Sequence, residues 1–310
     1  MCKHTTTGNW KLGLLLSLGT VLFWGVLPIA LKILLGSMDA FTIVWYRFLA
    51  AGIVLGVYIF WKKDFTFFKK IKLNLIGLLA VTIIGLCGNY SIYLLGLKRL
   101  SPDAAQIVIQ LAPMLLLVGG IIVFHEKFIF IQWIGFAVFF LGLVLFFNQR
   151  FGELVSSMTE YTIGILIVVI AAFFWASYAL AQKQLLKTFS SETILFMIYI
   201  VGIILFFPLA QPNLIFTLNT TRLWILAFCA LNTLVAYGCF AEALHHWEAS
   251  RVSAVIMIVP LITIITMKIV ASIAPHYLKP DNLNIISYLG AFLVIGGSMM
   301  TALAKKREQS

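Results

Sequence analysis

Charged residues are scarce in this chain, and their scarcity excludes an ordinary water-soluble fold. Asp, Glu, Lys and Arg together make up 11% of the 310 residues, whereas an average soluble domain holds about 25%. The hydrophobic fraction is 62% and the mean hydropathy is +1.05. A chain of this length cannot bury so much apolar surface inside its own fold, so the sequence predicts an outer surface that faces lipid.

Patterns for metal binding and catalysis are also lacking. The four cysteines show neither metal-ligand spacing nor a disulfide framework, and those at 87, 229 and 239 fall inside apolar segments. The five histidines are scattered, and most of the eleven acidic residues lie between the apolar segments. Enzyme chemistry needs such groups clustered at one depth. We therefore expect no metal, no cofactor and no enzymatic activity.

Long apolar segments dominate what remains. Each is long enough to cross an apolar layer about 30 Å thick as a helix of about 20 residues. The apolar residues are continuous rather than alternating, which favours helices over a transmembrane barrel. The sequence predicts an all-α polytopic membrane protein with ten transmembrane helices. Their predicted ranges are 12–35, 40–61, 73–97, 103–124, 129–148, 161–182, 193–210, 222–244, 252–273 and 285–304.

The net charge of +11 reflects membrane topology rather than binding to nucleic acid. With ten spans, fourteen lysines and arginines fall on the side of the two termini and five on the opposite side. Positive charge concentrates on the cytoplasmic side of membrane proteins. The prediction is a multi-pass protein of the cell inner membrane with cytoplasmic N- and C-termini.

Two segments of the chain repeat the same unusual combination of residues. "LFWGVLPIALK" (22–32) and "FFWASYALAQK" (173–183) both place an aromatic pair ahead of a lysine on an apolar helix. Trp24 aligns with Trp175 and Lys32 with Lys183 at one shared offset of 151 residues. These matches indicate an internal repeat.

Further matches extend the repeat along the chain. Tyr90 aligns with Tyr237, and "GFAVFFLG" (135–142) aligns with "GAFLVIGG" (290–297). We expect two five-helix repeats, 1–150 and 151–310. The second repeat contains a loop insertion, Ala274–Asn282, that the first repeat lacks. Because five is odd, the second repeat must enter the membrane upside down. Such inverted repeats are typical of carriers that open alternately to each side.

Three motifs give the chain a family resemblance. "FWGVLPIALK" (23–32), "VWYRFLAA" (44–51) and "LSPDAAQIVIQLAPMLLLVGGIIVFHEK" (100–127) resemble EamA-type transporters of the drug/metabolite transporter superfamily. The resemblance implies a carrier of small organic metabolites, often outward, with a central cavity formed by helices 1, 3, 4, 6, 8 and 9. One departure is that the acid at Glu126 has no second-half equivalent around Ala274-Pro275.

Polar and aromatic side chains near the middle of the spans are the candidate cargo contacts. Intramembrane polar groups are costly and need a partner or a function, and a phenol offers both an apolar face and a hydrogen-bonding tip. For each candidate the alternative is a structural contact between helices. The predicted substrate-binding residues are Trp24, Asn89, Tyr90, Tyr93, Gln106, Gln110, Trp175, Tyr178, Asn232, Tyr237 and Thr263.

A second group of residues is predicted to serve gating, coupling or bending. Lys32 and Lys183 stand near opposite mouths, where they attract a cargo carboxylate or extend to the interface. Glu242 is a candidate for a coupling proton, with charge capping at the interface as its alternative. The predicted helix kinks are at Pro113 and Pro260. Arg47 is expected to pair with Asp39 and to be structural.

These observations predict a secondary transporter that works by alternating access. Amino acids or similar amphipathic solutes are the expected cargo, and export is the expected direction. The alternatives are a flippase for lipids or lipid-linked sugars and, less favoured, a membrane-embedded enzyme. The expected partners are a small-molecule metabolite, the lipid bilayer and a coupling proton. Nucleic acid is excluded, and monomer and homodimer both remain open.

Overall fold

The computed structural model describes residues 8–62, 71–125, 129–247, 249–278 and 281–304. All regular secondary structure in these ranges is helical, which confirms the predicted all-α class. The basic segment 63–70 and Glu126, both used in the sequence analysis, lie outside the described residues.

Thirteen α-helices follow one another within the described ranges. They are α1 (Trp10–Leu34), α2 (Ala40–Lys62), α3 (Leu73–Arg99), α4 (Pro102–Val108), α5 (Leu111–Phe124), α6 (Phe130–Phe146), α7 (Phe151–Ser156), α8 (Glu160–Leu185), α9 (Ser191–Phe206), α10 (Thr220–His246), α11 (Ala249–Ile256), α12 (Val259–Ile273) and α13 (Ile285–Leu303). Each predicted span coincides with one of these helices or with a consecutive pair.

Nine segments of the described chain are long and apolar enough to cross a membrane, and a tenth is bent. Two of the nine, Pro102–Val123 and Arg251–Ile273, are each built from two helices, α4 with α5 and α11 with α12. The tenth is α6, which has 17 residues and continues through a 60° bend into Asn148–Ser156. The described residues therefore hold nine or ten spans, in agreement with the ten expected.

Polar residues begin many of the spans. Ser101, Thr159, Ser190, Asn219 and Asn284 each accept a hydrogen bond from a backbone N–H in the first turn of the following helix. Such caps satisfy donors that the helix itself cannot pair. They place helix starts at the boundary of the apolar layer, where short polar side chains interrupt the hydrophobic runs.

Each span packs mainly against a span from the other half of the chain. The principal partners are α3 with α8, α1 with α10, α2 with α9, and α6 with α13. The fourth span packs mainly on α8 through α5, and the ninth span packs mainly on α1 through α12. Numbered as spans, these pairs are 3–6, 1–8, 2–7, 5–10, 4–6 and 1–9. The same set of pairs results when each span of the first half is exchanged with its counterpart in the second half, span 1 with span 6 and so on. Within the described residues, the first five spans thus interleave with the second five rather than forming a separate bundle.

Glycines allow the closest of these contacts. A Cβ atom on Gly142 would lie 2.5 Å from the Val294 nitrogen and 2.8 Å from the Gly290 carbonyl oxygen. A Cβ on Gly135 would lie 2.8 Å from the Gly297 carbonyl oxygen. The two glycine pairs that align in the repeat therefore meet each other across α6 and α13. Small residues let membrane helices approach backbone to backbone.

The outer surface of this bundle is apolar. Trp61 is 84% exposed and Phe130 is 79% exposed, in a chain whose described helices are apolar enough to span a bilayer. A continuous surface of this kind is unfavourable in water and favourable in lipid. Polar residues such as Asn89 and Thr263 are instead buried between the two halves.

The close contact between α6 and α13 predicts that Gly142→Ala lowers stability. The new methyl group would overlap backbone atoms of α13, and overpacking of this kind costs about 1–3 kcal/mol, which exceeds the gain in helix propensity of about 1 kcal/mol. Thermal unfolding in detergent, followed by fluorescence-detected size exclusion, measures the effect. Gly296→Ala is the matched control, because a Cβ there meets no atom within 4 Å. Equal melting temperatures for the two variants would contradict the packing described.

Candidate functional site

Tyr90 is the centre of an aromatic cluster shared by both halves. It lies on α3, is 7% exposed, and its ring centroid is 5.0 Å from that of Phe48 on α2. Its hydroxyl is within electrostatic range of Tyr178, Tyr199 and Tyr237 on α8, α9 and α10. Three predicted cargo residues are thus brought together, and Tyr199 joins them without having been predicted.

Arg47 places a buried positive charge beside this cluster. Its guanidinium carbon lies 4.6 Å from the Tyr90 ring centroid, and the residue is 4% exposed. Its Nε donates to the Cys229 carbonyl and the Thr233 hydroxyl, both at 3.3 Å. These are contacts with α10 of the other half.

The expected pairing of Arg47 with Asp39 is wrong. Asp39 instead accepts hydrogen bonds from the backbone N–H and the hydroxyl of Thr42 in the first turn of α2. Residues 39 and 47 are more than two helical turns apart. The Asp39 carboxylate therefore caps the start of α2, whereas the Arg47 guanidinium forms its hydrogen bonds with α10. No acidic group in the described ranges forms an ion pair with Arg47.

The two tryptophans of the repeat each stand beside a tyrosine of the cluster. The Trp24 and Tyr237 ring centroids are 5.3 Å apart in an edge-on arrangement, and Phe240 lies 5.9 Å from Trp24. Trp175 and Tyr178 are 6.5 Å apart, also edge-on. Both tryptophans are half-buried. This arrangement suits aromatic packing, and a direct contact with cargo stays a prediction.

Asn89, Asn232 and Thr263 form hydrogen bonds between the halves. Asn89 Nδ2 donates to the Ala171 carbonyl at 2.9 Å, and Asn232 Nδ2 donates to the Phe23 carbonyl at 2.7 Å. Thr263 Oγ1 donates to the Gly25 carbonyl at 2.8 Å. The structural alternative considered for these residues therefore has direct contacts to support it, while their role in binding stays a prediction.

Several buried polar atoms near these helices have no hydrogen-bond partner among the described residues. They include three atoms of predicted cargo residues, which are Tyr93 Oη, Gln110 Nε2 and Asn232 Oδ1. Gln106 is also buried, at 9% exposure. Unsatisfied buried polar atoms are costly, and contact of these atoms with a bound solute stays a prediction.

The two proline positions coincide with interruptions in broken spans. The turn between α4 and α5 covers residues 109–110, just before Pro113, and the turn between α11 and α12 covers 257–258, just before Pro260. Proline cannot donate the helical hydrogen bond to the residue four positions earlier. Ala112 and Leu261 instead donate to Ile109 and Ile258 in shorter turns.

Lys32 and Lys183 occupy different environments despite their alignment. Lys32 Nζ donates to the carbonyls of Leu97, Lys98 and Leu100 at 2.7–2.8 Å, at the end of α3. Cations bind favourably at helix C-termini, where carbonyls lack partners. Lys183 is exposed near the end of α8. The structure therefore gives Lys32 a capping contact, and gating by either lysine stays a prediction.

Glu242 lies near the end of α10 and is exposed. Its Oε1 is 3.1 Å from Nε2 of His246, one helical turn later. Side chains four residues apart on a helix are neighbours, so this contact lies within the last turns of α10. A coupling function stays a prediction. No group of three or more His, Cys, Asp or Glu side chains suited to a metal ion occurs in the part of the chain that the structure describes.

Two central residues were not identified as functional from the sequence. Tyr199 sits in "MIYIVG" with no sign of repetition, and Arg47 lies near an acid that offered an obvious partner. The aligned partners of the repeat revealed Tyr90 and Tyr237. Only packing of α2 against α9 and α10 shows that Arg47 and Tyr199 face the same centre.

Comparison with known proteins agrees with this architecture. The EamA-like transporter family matches residues 11–148 and 162–303. The chain is 41% identical over 298 residues to an "Uncharacterized inner membrane transporter YhbE" of Escherichia coli K12, covering 95% of this chain and 92% of the relative. It is 38% identical over 295 residues to an "Uncharacterized transporter" of Haemophilus influenzae, covering 95% and 96%.

Two more distant similarities extend the comparison. A "Probable amino-acid metabolite efflux pump" of Escherichia coli K12 is 23% identical over 296 residues, covering 91% of this chain and 92% of the pump. A solved crystal structure superimposes with a TM-score of 0.60 at 16% identity, covering 95% of this chain and 98% of that chain. The latter supports the fold alone.

Family matches in both halves, together with nine or ten apolar helices in the described residues, lead to one conclusion. The chain belongs to the EamA-like transporter family and is a multi-pass membrane protein.

Proposed function

We propose that this protein is a secondary transporter of the bacterial inner membrane that moves small amphipathic metabolites bearing a carboxylate. Amino acids and similar solutes are the proposed cargo, and export is the proposed direction. The single observation that carries this proposal is Arg47, a buried cation held by both halves and without an acidic partner in the described ranges.

The energetics of Arg47 favour an anionic cargo. Removing a charged side chain from water costs several kcal/mol, and a cation–π contact such as that with Tyr90 recovers about 2 kcal/mol. The two hydrogen bonds of Arg47 go to a carbonyl and a hydroxyl, which are neutral and leave its positive charge without an opposite charge. A carboxylate would supply the missing opposite charge and match the planar guanidinium with two hydrogen bonds. The surrounding tyrosines would pack against the apolar part of the solute.

The helix pairing supports alternating access. The pairs stay the same when the two halves are exchanged, and the aligned glycines of α6 and α13 contact each other reciprocally. We infer an inverted repeat with its two-fold axis in the membrane plane. Two opposed copies have two equivalent packings, one open to each side. A central site held by both halves would then face each side in turn.

Two relatives support the location and the direction. One is named as an inner membrane transporter and another as a probable amino-acid metabolite efflux pump. The topology proposed from the charge distribution places both termini in the cytoplasm. Coupling to a proton through Glu242 is part of the proposal, supported by the 3.1 Å contact of its carboxylate with the His246 ring at the end of α10.

Replacing Arg47 should weaken transport of carboxylate-bearing solutes. Arg47→Gln removes the charge, and we expect KM to rise at least tenfold, which corresponds to about 1.4 kcal/mol. The KM of Arg47→Lys should lie between those of the native protein and Arg47→Gln, because an ammonium keeps the charge but lacks the planar fork of a guanidinium. Uptake of labelled amino acids into proteoliposomes measures both. Arg99→Gln is the control, since Arg99 forms a surface ion pair with Glu160. A folded Arg47→Gln protein with unchanged KM would refute the proposed role.

The tyrosine hydroxyls at the centre should matter for cargo selection. Tyr90→Phe and Tyr237→Phe keep the rings and remove the polar tips, so we expect lower rates for solutes with polar groups and folded proteins of normal yield. Competition among unlabelled amino acids in the same proteoliposomes gives the selectivity. Tyr58→Phe is the matched control, because Tyr58 is 36% exposed and lies near the C-terminal end of α2. An identical competition profile in all three variants would argue against contact with cargo. Movement of a fluorescent lipid in place of these solutes would favour the flippase alternative.

Proton coupling is tested by Glu242→Gln. If Glu242 carries the proton, the variant should lose the acceleration that a pH gradient gives, while exchange without a gradient continues. Proteoliposome transport with and without the gradient separates these effects. Glu192→Gln serves as the control, since Glu192 is an exposed acid in the first turn of α9. Full acceleration in Glu242→Gln would remove this residue from the coupling proposal.

A further inference from the structure

Two adjoining cavities lie at one face of the molecule, next to the segment 281–283. The smaller has a volume of about 220 Å³, and its polar lining is Asp103, Lys268, Asp281, Asn282 and Tyr288. The larger has a volume of about 430 Å³ and includes Arg150, Glu153 and Tyr161. Both share residues 281–283. None of these residues belongs to the central cluster around Tyr90.

Asp103 contributes a buried carboxylate to the smaller cavity. It is 3% exposed, and its Oδ1 has no hydrogen-bond partner in the described ranges. Asp281 differs, because Ser101 Oγ donates to its Oδ2 at 2.6 Å and Arg150 lies 3.9 Å from its Oδ1. A buried carboxylate oxygen without a donor is costly. The cavity beside Asp103 is where such a donor would enter.

Lys268 contributes a positive charge to the same cavity. Its ammonium lies 4.5 Å from the ring centroid of Tyr288, and no acid forms an ion pair with it within the described ranges. It is nevertheless within electrostatic range of Asp103. The cavity lining thus holds the Lys268 ammonium and two carboxylates, of which Asp281 already has Ser101 and Arg150 as partners while Asp103 forms no ion pair with Lys268.

We propose that this cavity is a binding site for a small zwitterion, an α-amino acid with a short side chain. The ligand ammonium would donate to Asp103 Oδ1, and the ligand carboxylate would accept from Lys268. A volume of about 220 Å³ lies below the range of about 300–1,000 Å³ typical of drug-sized ligands. The site therefore suits a small amino acid better than a drug-sized ligand.

The position of the cavity gives the site a place on the transport path. Asp103 lies on α4 and Lys268 on α12, which are parts of the fourth and ninth spans and pack together across the two halves. The insertion that distinguishes the second half supplies Asp281 and Asn282. The inference rests on the proposed function, because it makes this cavity a second station for the same cargo at one mouth.

Protection from chemical labelling tests the site directly. Asn282→Cys, in a protein whose Cys2 and Cys239 are serine, places a thiol at the cavity lining. We expect L-alanine to slow its modification by a charged methanethiosulfonate reagent at least tenfold. L-alaninamide lacks the carboxylate and propionate lacks the ammonium, so neither should protect. The Arg47→Gln background removes the central site, and protection should persist there.

Variants of the two charged residues complete the test. Asp103→Asn and Lys268→Gln should each abolish protection, whereas Tyr288→Phe, which keeps the ring beneath Lys268, should retain it. Thermal unfolding verifies that every variant is folded. Absence of protection by L-alanine would overturn the proposal. So would protection in Asp103→Asn and Lys268→Gln that equals the protection measured with Asp103 and Lys268 in place. Transport is measured in parallel: transport without protection refutes this site alone, whereas protection without transport refutes the carrier function and leaves the site standing.

Discussion

The packing of each span against a span of the other half is the constraint on which the rest of this structure depends. In lipid there is no hydrophobic force between helices, so association relies on close packing and interhelical hydrogen bonds. The glycines at 135 and 142 meet those at 297 and 290, and the α6 and α13 backbones approach to distances that no side chain would permit. The two halves therefore form a single interleaved bundle.

This interleaving determines where polar groups can lie. Asn89 reaches the backbone of α8, Asn232 reaches the backbone of α1, and Arg47 reaches α10. Polar bonds across the halves are worth only about 1 kcal/mol each in a membrane, so a change of packing can exchange them at modest cost. The same interface holds the tyrosine cluster, which joins α3, α8, α9 and α10. In the proposed alternating-access cycle, a solute bound at this position would contact both halves in each of the two packings.

Much of the fold follows from the sequence because hydrophobic runs mark membrane spans directly. The predicted ranges agree with the observed helices to within a few residues, and polar caps such as Ser101 and Asn219 end the runs. The repeat in the sequence also identified the glycines and the Tyr90–Tyr237 pair. The 60° bend after α6 was not predicted, because the apolar composition continues through it.

The site was less accessible to sequence reasoning, since it depends on the direction of side chains around helices and on which helices are neighbours. Arg47 lies eight residues from Asp39, yet it turns to α10. Lys32 aligns with Lys183, yet only Lys32 has the carbonyls at the end of α3 within reach. Neither outcome is encoded in local spacing. Each follows from the packing of helices that are far apart in the sequence.

The most direct test of the account is a pair of distance measurements in lipid nanodiscs by double electron–electron resonance. Spin labels at Lys98 and Tyr277 report one face, and labels at Lys72 and Leu303 report the other, in a protein with its four native cysteines replaced. Addition of transported cargo should shift the two distance distributions in opposite directions, one face closing as the other opens. Distances that stay fixed, or that change together at both faces, would contradict a two-fold exchange between the halves.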